Sequence, residues 1–172
     1  MEITLLSSQS LRVKGKTGTL VVNPLSGKKI ACDAALFFNR ADEHAGASLE
    51  GNKIIIDGAG DYEIGGVKIT GIRQGDTNSY DMVVDGIDVF VSQASAINKI
   101  KDTKEVEVAV IDADGLVSQN VIAALNANVL LFYGDKAEEN IKALGKEEGN
   151  AIAKYVITRD KLPNESQIFL LE

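Results

Sequence analysis

Through the first half of the chain, apolar and polar residues alternate in short runs broken by turn-forming residues. Residues 2–6 and 10–14 read as two strands joined by the polar turn Ser7-Ser8-Gln9. Thr19 to Val22 is a third strand, and Asn23-Pro24 ends it, because proline lacks the N–H a ladder needs. Ala34 to Phe38 is a continuous apolar run of the buried-strand kind, and Lys53 to Asp57 is β-branched. Tyr62-Glu63-Ile64 and Val67-Lys68-Ile69 flank Gly65-Gly66, a loop suited to a type I′ turn with positive φ at both central positions. That turn sets Ile64 opposite Val67 and Glu63 opposite Lys68. Tyr80 to Val84 and Ile87 to Val91 flank Asp85-Gly86, a second such hairpin. The first half therefore predicts an antiparallel meander.

The second half changes period. Val106 to Ile111 and Val129 to Phe132 are apolar blocks of strand length. Between them, Val117, Val121, Ala124 and Leu125 recur at helical spacing, with Asp114 as the expected N-cap. Asp135 to Glu138 resembles a capping box opening a second helix, whose apolar face is Ala137, Ile141 and Leu144 and whose stop is Gly145. Tyr155 to Thr158 and Gln167 to Leu171 complete the strands. Strands followed by alternating strands and helices predict an α/β or α+β sandwich.

Composition narrows the function classes. A chain of 172 residues suits one domain, and 45% apolar residues is a globular value. The net charge of −7 argues against a general electrostatic nucleic-acid binder. The single cysteine, Cys32, excludes an internal disulfide and reads as a small buried hydrophobe. No secretory signal and no run long enough for a membrane span is seen, so a cytoplasmic location and no membrane partner are expected.

The stretch Gly58-Ala59-Gly60-Asp61-Tyr62-Glu63 resembles the Gly-Pro-Gly-Glu-Tyr-Glu element of the metallo-β-lactamase-fold hydrolases, in particular their small, lactonase-like branch. Met1 to Leu6 resembles that family's first strand, Val22-Asn23-Pro24 its Ile-Asp-Pro turn, and Val84 to Ile87 the entry to its second hairpin. Lys161 to Glu165 resembles its closing stretch, so the likeness runs nearly end to end. It implies an αββα sandwich of two mixed sheets flanked by helices. It also implies a His-x-His-x-Asp-His loop, further histidines and a bridging aspartate, which hold metal ions that activate water.

The residues at those positions are different. Ser8 stands at the family's first histidine. Phe38 and Arg40 stand at the two leading histidines of the loop, Asp42 keeps its aspartate, and Glu43 takes the last histidine, with His44 one residue late. The next histidine falls within Arg73 to Asp76, the bridging aspartate near Ala94, and the final histidine at or near Tyr133. The whole chain has one histidine. A zinc or other divalent metal site is therefore expected to be absent, and no cofactor is expected. The sequence points to a pseudoenzyme: a binding, scaffold or assembly subunit with a protein partner or a second copy of itself.

Other readings rest on particular residues. Asp42, Glu43, His44 and Asp112 converging on one cleft would make a rebuilt hydrolase. A cleft lined by Phe38, Arg40 and Tyr133 would suit a small anion, held by Arg40. Asp112 and Asp114 follow a buried strand, where an oxygen-only Mg²⁺ or Ca²⁺ site is conceivable, although capping explains both more simply.

Overall fold

The computed structural model describes residues 1–24, 29–41, 49–51, 54–99, 105–145 and 150–172. The strands are β1 (Glu2–Ser7), β2 (Ser10–Lys14), β3 (Thr19–Val22), β4 (Ile30–Ala31), β5 (Ala34–Leu36), β6 (Leu49–Glu50), β7 (Ile54–Ile56), β8 (Gly60–Ile64), β9 (Val67–Gln74), β10 (Thr77–Val84) and β11 (Ile87–Gln93). Then come α1 (Ala94–Ile97), β12 (Val108–Asp112), α2 (Gln119–Leu125), β13 (Val129–Tyr133), α3 (Ala137–Ala143), β14 (Asn150–Ile152), β15 (Lys154–Val156) and β16 (Gln167–Leu171). One sheet runs β15-β1-β2-β3-β5-β7 and the other β14-β16-β13-β12-β11-β10-β9-β8, while β4 and β6 pair separately.

The two sheets pack face to face, and side-chain parity decides what lies between them. Ile3, Leu11, Val13, Leu20 and Leu36 of the six-stranded sheet meet Ile69, Tyr80, Met82, Val91, Val110 and Leu131 of the other. A second core lies on the opposite face of the eight-stranded sheet, where Phe90, Ala109, Ile111, Leu130 and Phe132 pack against residues of α1, α2 and α3. Because β12 and β13 are covered on both faces, all ten of their residues are buried, which explains their unbroken apolar runs. The architecture is an α/β sandwich of two mixed sheets. Among the described residues, all three α-helices lie on the eight-stranded side.

The hairpins follow their turn residues. Gly65 and Gly66 have φ of 58° and 74°, and Ile64 pairs with Val67 and Glu63 with Lys68, as their spacing predicts. Asp85 and Gly86, at 54° and 79°, turn β10 into β11. A third hairpin, β9 into β10 at Gly75-Asp76, was not foreseen. The predicted antiparallel meander is only partial. β3, β5 and β7 pair parallel, an arrangement that tight hairpin turns do not give.

Both helix starts differ from expectation. Ser118, and not Asp114, caps α2, its Oγ accepting from the Val121 N–H. Asp114 instead accepts from the Ser95 N–H, at the start of α1. α3 has Lys136 at its N-cap with no side-chain bond, so Asp135 does not close a capping box. Gly145, at φ 80°, does follow the end of α3. β14 and β15 are separated by Ala153 alone yet lie in different sheets, so the chain crosses from one sheet edge to the other within one residue.

Candidate functional site

The eight-stranded sheet carries a row of polar residues where β11, β12 and β13 end. Gln93 is in register with Asp112, and Asp112 with Tyr133. Arg73 of β9 faces Asn78 of β10. Continuing the β10–β11 register, in which Tyr80 faces Val91, by two residues sets Asn78 against Gln93. The buried hydroxyls of Ser79 and Ser92, one step nearer, are 2.8 Å apart and agree with that register. Asn78, Gln93, Asp112 and Tyr133 each lie two residues from an inter-sheet core residue on the same strand. All four therefore face the other sheet.

The two halves of the row differ in how their polar atoms are satisfied. Asn78 donates from Nδ2 to the Phe37 carbonyl at 3.1 Å, and its N–H donates to the Phe38 carbonyl at 2.7 Å. Arg73 Nη1 donates to Asn78 Oδ1 at 3.5 Å. The Tyr80 hydroxyl sits between the carbonyls of Phe37 and Ile56. Together these groups fasten the ends of β5 and β7 to the eight-stranded sheet.

On the other half, Asp112 is buried and accepts from Gln93 Nε2 at 3.2 Å. Burial pushes its carboxyl up to about 6, against the Gln93 hydrogen bond, and the charges of Asp114 and Asp135 add to the rise. Tyr133 is fully buried, its hydroxyl has no hydrogen-bond partner, and burial raises it well above the usual phenol range. Gly134 packs against the Asp112 carboxyl. Its φ is +89°, and a Cβ there would stand 2.7 Å from Asp112 Oδ1.

Gly134 also borders a groove of about 910 Å³. Leu5, Ser7 and Ser8 of the first hairpin form one wall, and Asp135 and α3 the other. The buried carboxyl thus lies directly behind the backbone that lines the groove.

The residues singled out from the sequence fall in different places. Ser8 is exposed and lines the groove. Phe38 is wholly buried in the inter-sheet core and offers no cleft surface, while Arg40 is exposed. Asp76 is exposed in the β9–β10 turn, and the residue of that segment that joins the row is Arg73. Ala94 is buried against the helices, and Gln93 before it joins the row. Asp112 and Tyr133 are adjacent in the row. Asp42, Glu43 and His44 lie outside the described residues. Asn78 and Gln93 escaped the sequence reading, and Arg73 entered it only as the start of the Arg73–Asp76 segment. The hairpin at Gly75-Asp76 was the available signal, since it sets Arg73 opposite Asn78. Cys32 is buried and its thiol pushed up to about 11, so it is an inert hydrophobe, as its context suggests.

The row contributes one carboxylate, two amides, a phenol and a guanidinium, which is a poor donor set for zinc. Among the described residues no three His, Cys, Asp or Glu side chains gather where they could hold a metal ion. That applies equally to Asp112 and Asp114. No described helix is long and apolar enough to cross a membrane.

Known structures supply the frame for this geometry. A protein from Thermotoga maritima, described as a Zn-dependent hydrolase of the metallo-β-lactamase superfamily, superposes with a TM-score of 0.77. The match covers 99% of this chain and 98% of that one, at 18% sequence identity. The fold is the metallo-β-lactamase fold. A variant of the β-hydroxylase CmlA matches with a TM-score of 0.60 at 9% identity, over 91% of this chain and 53% of that chain. No family model and no curated protein matches the sequence. In the metallo-β-lactamase frame, the sequence resemblance assigns a metal-binding histidine to the Arg73–Asp76 segment and to Tyr133, and both now contribute to the polar row.

Proposed function

We propose that this chain acts by binding and not by hydrolysis: a metallo-β-lactamase-fold pseudoenzyme that serves as a binding, scaffold or assembly subunit in the cytoplasm. The observation that carries this reading is the row Arg73, Asn78, Gln93, Asp112 and Tyr133, which has no imidazole and includes a fixed positive charge. A metal ion beside Arg73 would meet repulsion, and Asn78 is already committed to the backbone of residues 37 and 38. Asp112 is the one carboxylate of the row, where a zinc site gathers several imidazole, thiolate or carboxylate ligands.

The test is to purify the full chain from zinc- and manganese-supplemented medium, measure its metal content, and assay phosphodiester and lactone hydrolysis. The expected result is metal far below one ion per chain and no turnover above buffer. Stoichiometric metal, with turnover abolished by a chelator and by His44→Ala, overturns the proposal.

A further inference from the structure

The helix layer covers only part of the eight-stranded sheet. α1, α2 and α3 pack over β11, β12, β13 and β16, and α1 reaches β10. The outer face of β8, β9 and the far end of β10 carries no described helix. Register defines what that face displays. Glu63 stands opposite Lys68, Lys68 opposite Val83, and Val83 opposite Asp88, forming one rung across four strands. On the next rung Asp61 stands opposite Thr70, whose hydroxyl donates to Asp61 Oδ1 at 2.7 Å.

Val83 is 37% exposed, a large apolar side chain at the middle of a charged rung. Around it Asp61, Glu63, Asp88 and Glu105 are exposed carboxylates, and Lys68 is the base between them. Glu63 and Lys68 form no ion pair with each other, although they are in register. Two shallow grooves of about 410 and 320 Å³ adjoin along this surface, sharing Lys68 and Thr70.

We infer that this bare face is a docking surface for a basic amphipathic helix of a different protein. Dimensions favour a helix: three strands at ~4.8 Å spacing span about 10 Å, the width of one helix. Such a helix would extend the existing layer, setting an apolar stripe on Val83 and its basic residues against Asp61, Glu63, Asp88 and Glu105. The charge selects the occupant. A second copy presenting this face would set these carboxylates against their like, and an anionic partner would meet the same repulsion. The inference concerns a surface outside the polar row, so it stands or falls separately from the absence of hydrolysis.

The probe is a synthetic 18-residue Leu/Lys helix, titrated into the ¹⁵N-labelled full chain at low and moderate salt. The comparison peptide has the same composition scrambled to abolish the apolar stripe. Amide shifts should concentrate on β8 to β10 and the start of β11. Affinity should fall at least tenfold in Val83→Asn, and also in the milder Asp61→Asn/Glu63→Gln/Asp88→Asn variant, the fold of both being checked by circular dichroism. Equal binding of the scrambled peptide, shifts centred on α3 or spread over the surface, or unchanged affinity in both variants overturns the inference. So does concentration-dependent shifting of this face without peptide, which would identify a second copy as the occupant.

Discussion

Asn78 and Tyr80 at one end of the polar row, and Asp112 and Tyr133 at the other, are all buried on the same face of the same sheet. The Asn78 amide nitrogen and the Tyr80 hydroxyl meet backbone carbonyls, Arg73 meets the Asn78 amide oxygen, and the result is a clamp between sheets. The second pair leaves a phenol hydroxyl without a partner and a carboxyl held by one amide. Both pairs are buried. What differs is satisfaction, and that decides whether a buried polar group stabilises the fold or strains it.

The sharpest way to expose the difference is pH. The folded carboxyl of Asp112 is pushed up to about 6 from an ordinary value of 3.8. The native state therefore holds this proton more tightly than the unfolded chain does. Stability is highest when the group is protonated, falls as pH rises between those two values, and stays low above the upper one. Asp112→Asn should leave stability nearly unchanged at pH 4 and raise it at pH 7.5 by at most about 3 kcal/mol. Denaturant midpoints across that range measure it. A gain that does not vary with pH would show that the carboxyl carries no such cost.

Asn78→Ala tests the satisfied end. It strips the Phe37 carbonyl and Arg73 of a partner, and should cost about 2 kcal/mol by urea unfolding. A loss near zero would mean that the clamp is replaceable. The smallest effect is expected from Tyr133→Phe, which removes a hydroxyl that has nothing to bond. It should stabilise the chain by about 1 kcal/mol, in the direction opposite to Asn78→Ala, as a rise in melting temperature. A destabilised Tyr133→Phe would place an unrecognised partner at that hydroxyl.

The sequence exposed the parts of this structure governed by local rules. Gly65-Gly66 and Asp85-Gly86 set hairpin registers because two-residue turns demand positive φ. The unbroken apolar runs at β12 and β13 marked strands covered on both faces. The parallel pairing of β3, β5 and β7 was not legible, because crossovers carry no comparable turn signature. Caps also failed: Asp114 and Ser118 both suit an N-cap, and the turn after β12, where Asp114 reaches Ser95, decided between them. At the site, the resemblance named the Arg73–Asp76 segment and the neighbourhood of Ala94. Within them strand parity, invisible to composition, sets Arg73 and Gln93 on the inner face.

The single-residue crossing at Ala153 has a consequence for how the molecule opens. β14 holds the last strand of one sheet, and β15 holds the first strand of the other, where Ile157 N–H donates to the Met1 carbonyl. With one residue between them there is no slack for either edge to fray alone. Peeling β15 from β1 drags β14 from β16, so amide protons on both edges should exchange with solvent in one shared event, with one opening free energy. The chain thereby turns two sheet margins, each of three residues and weak by itself, into a single cooperative seam.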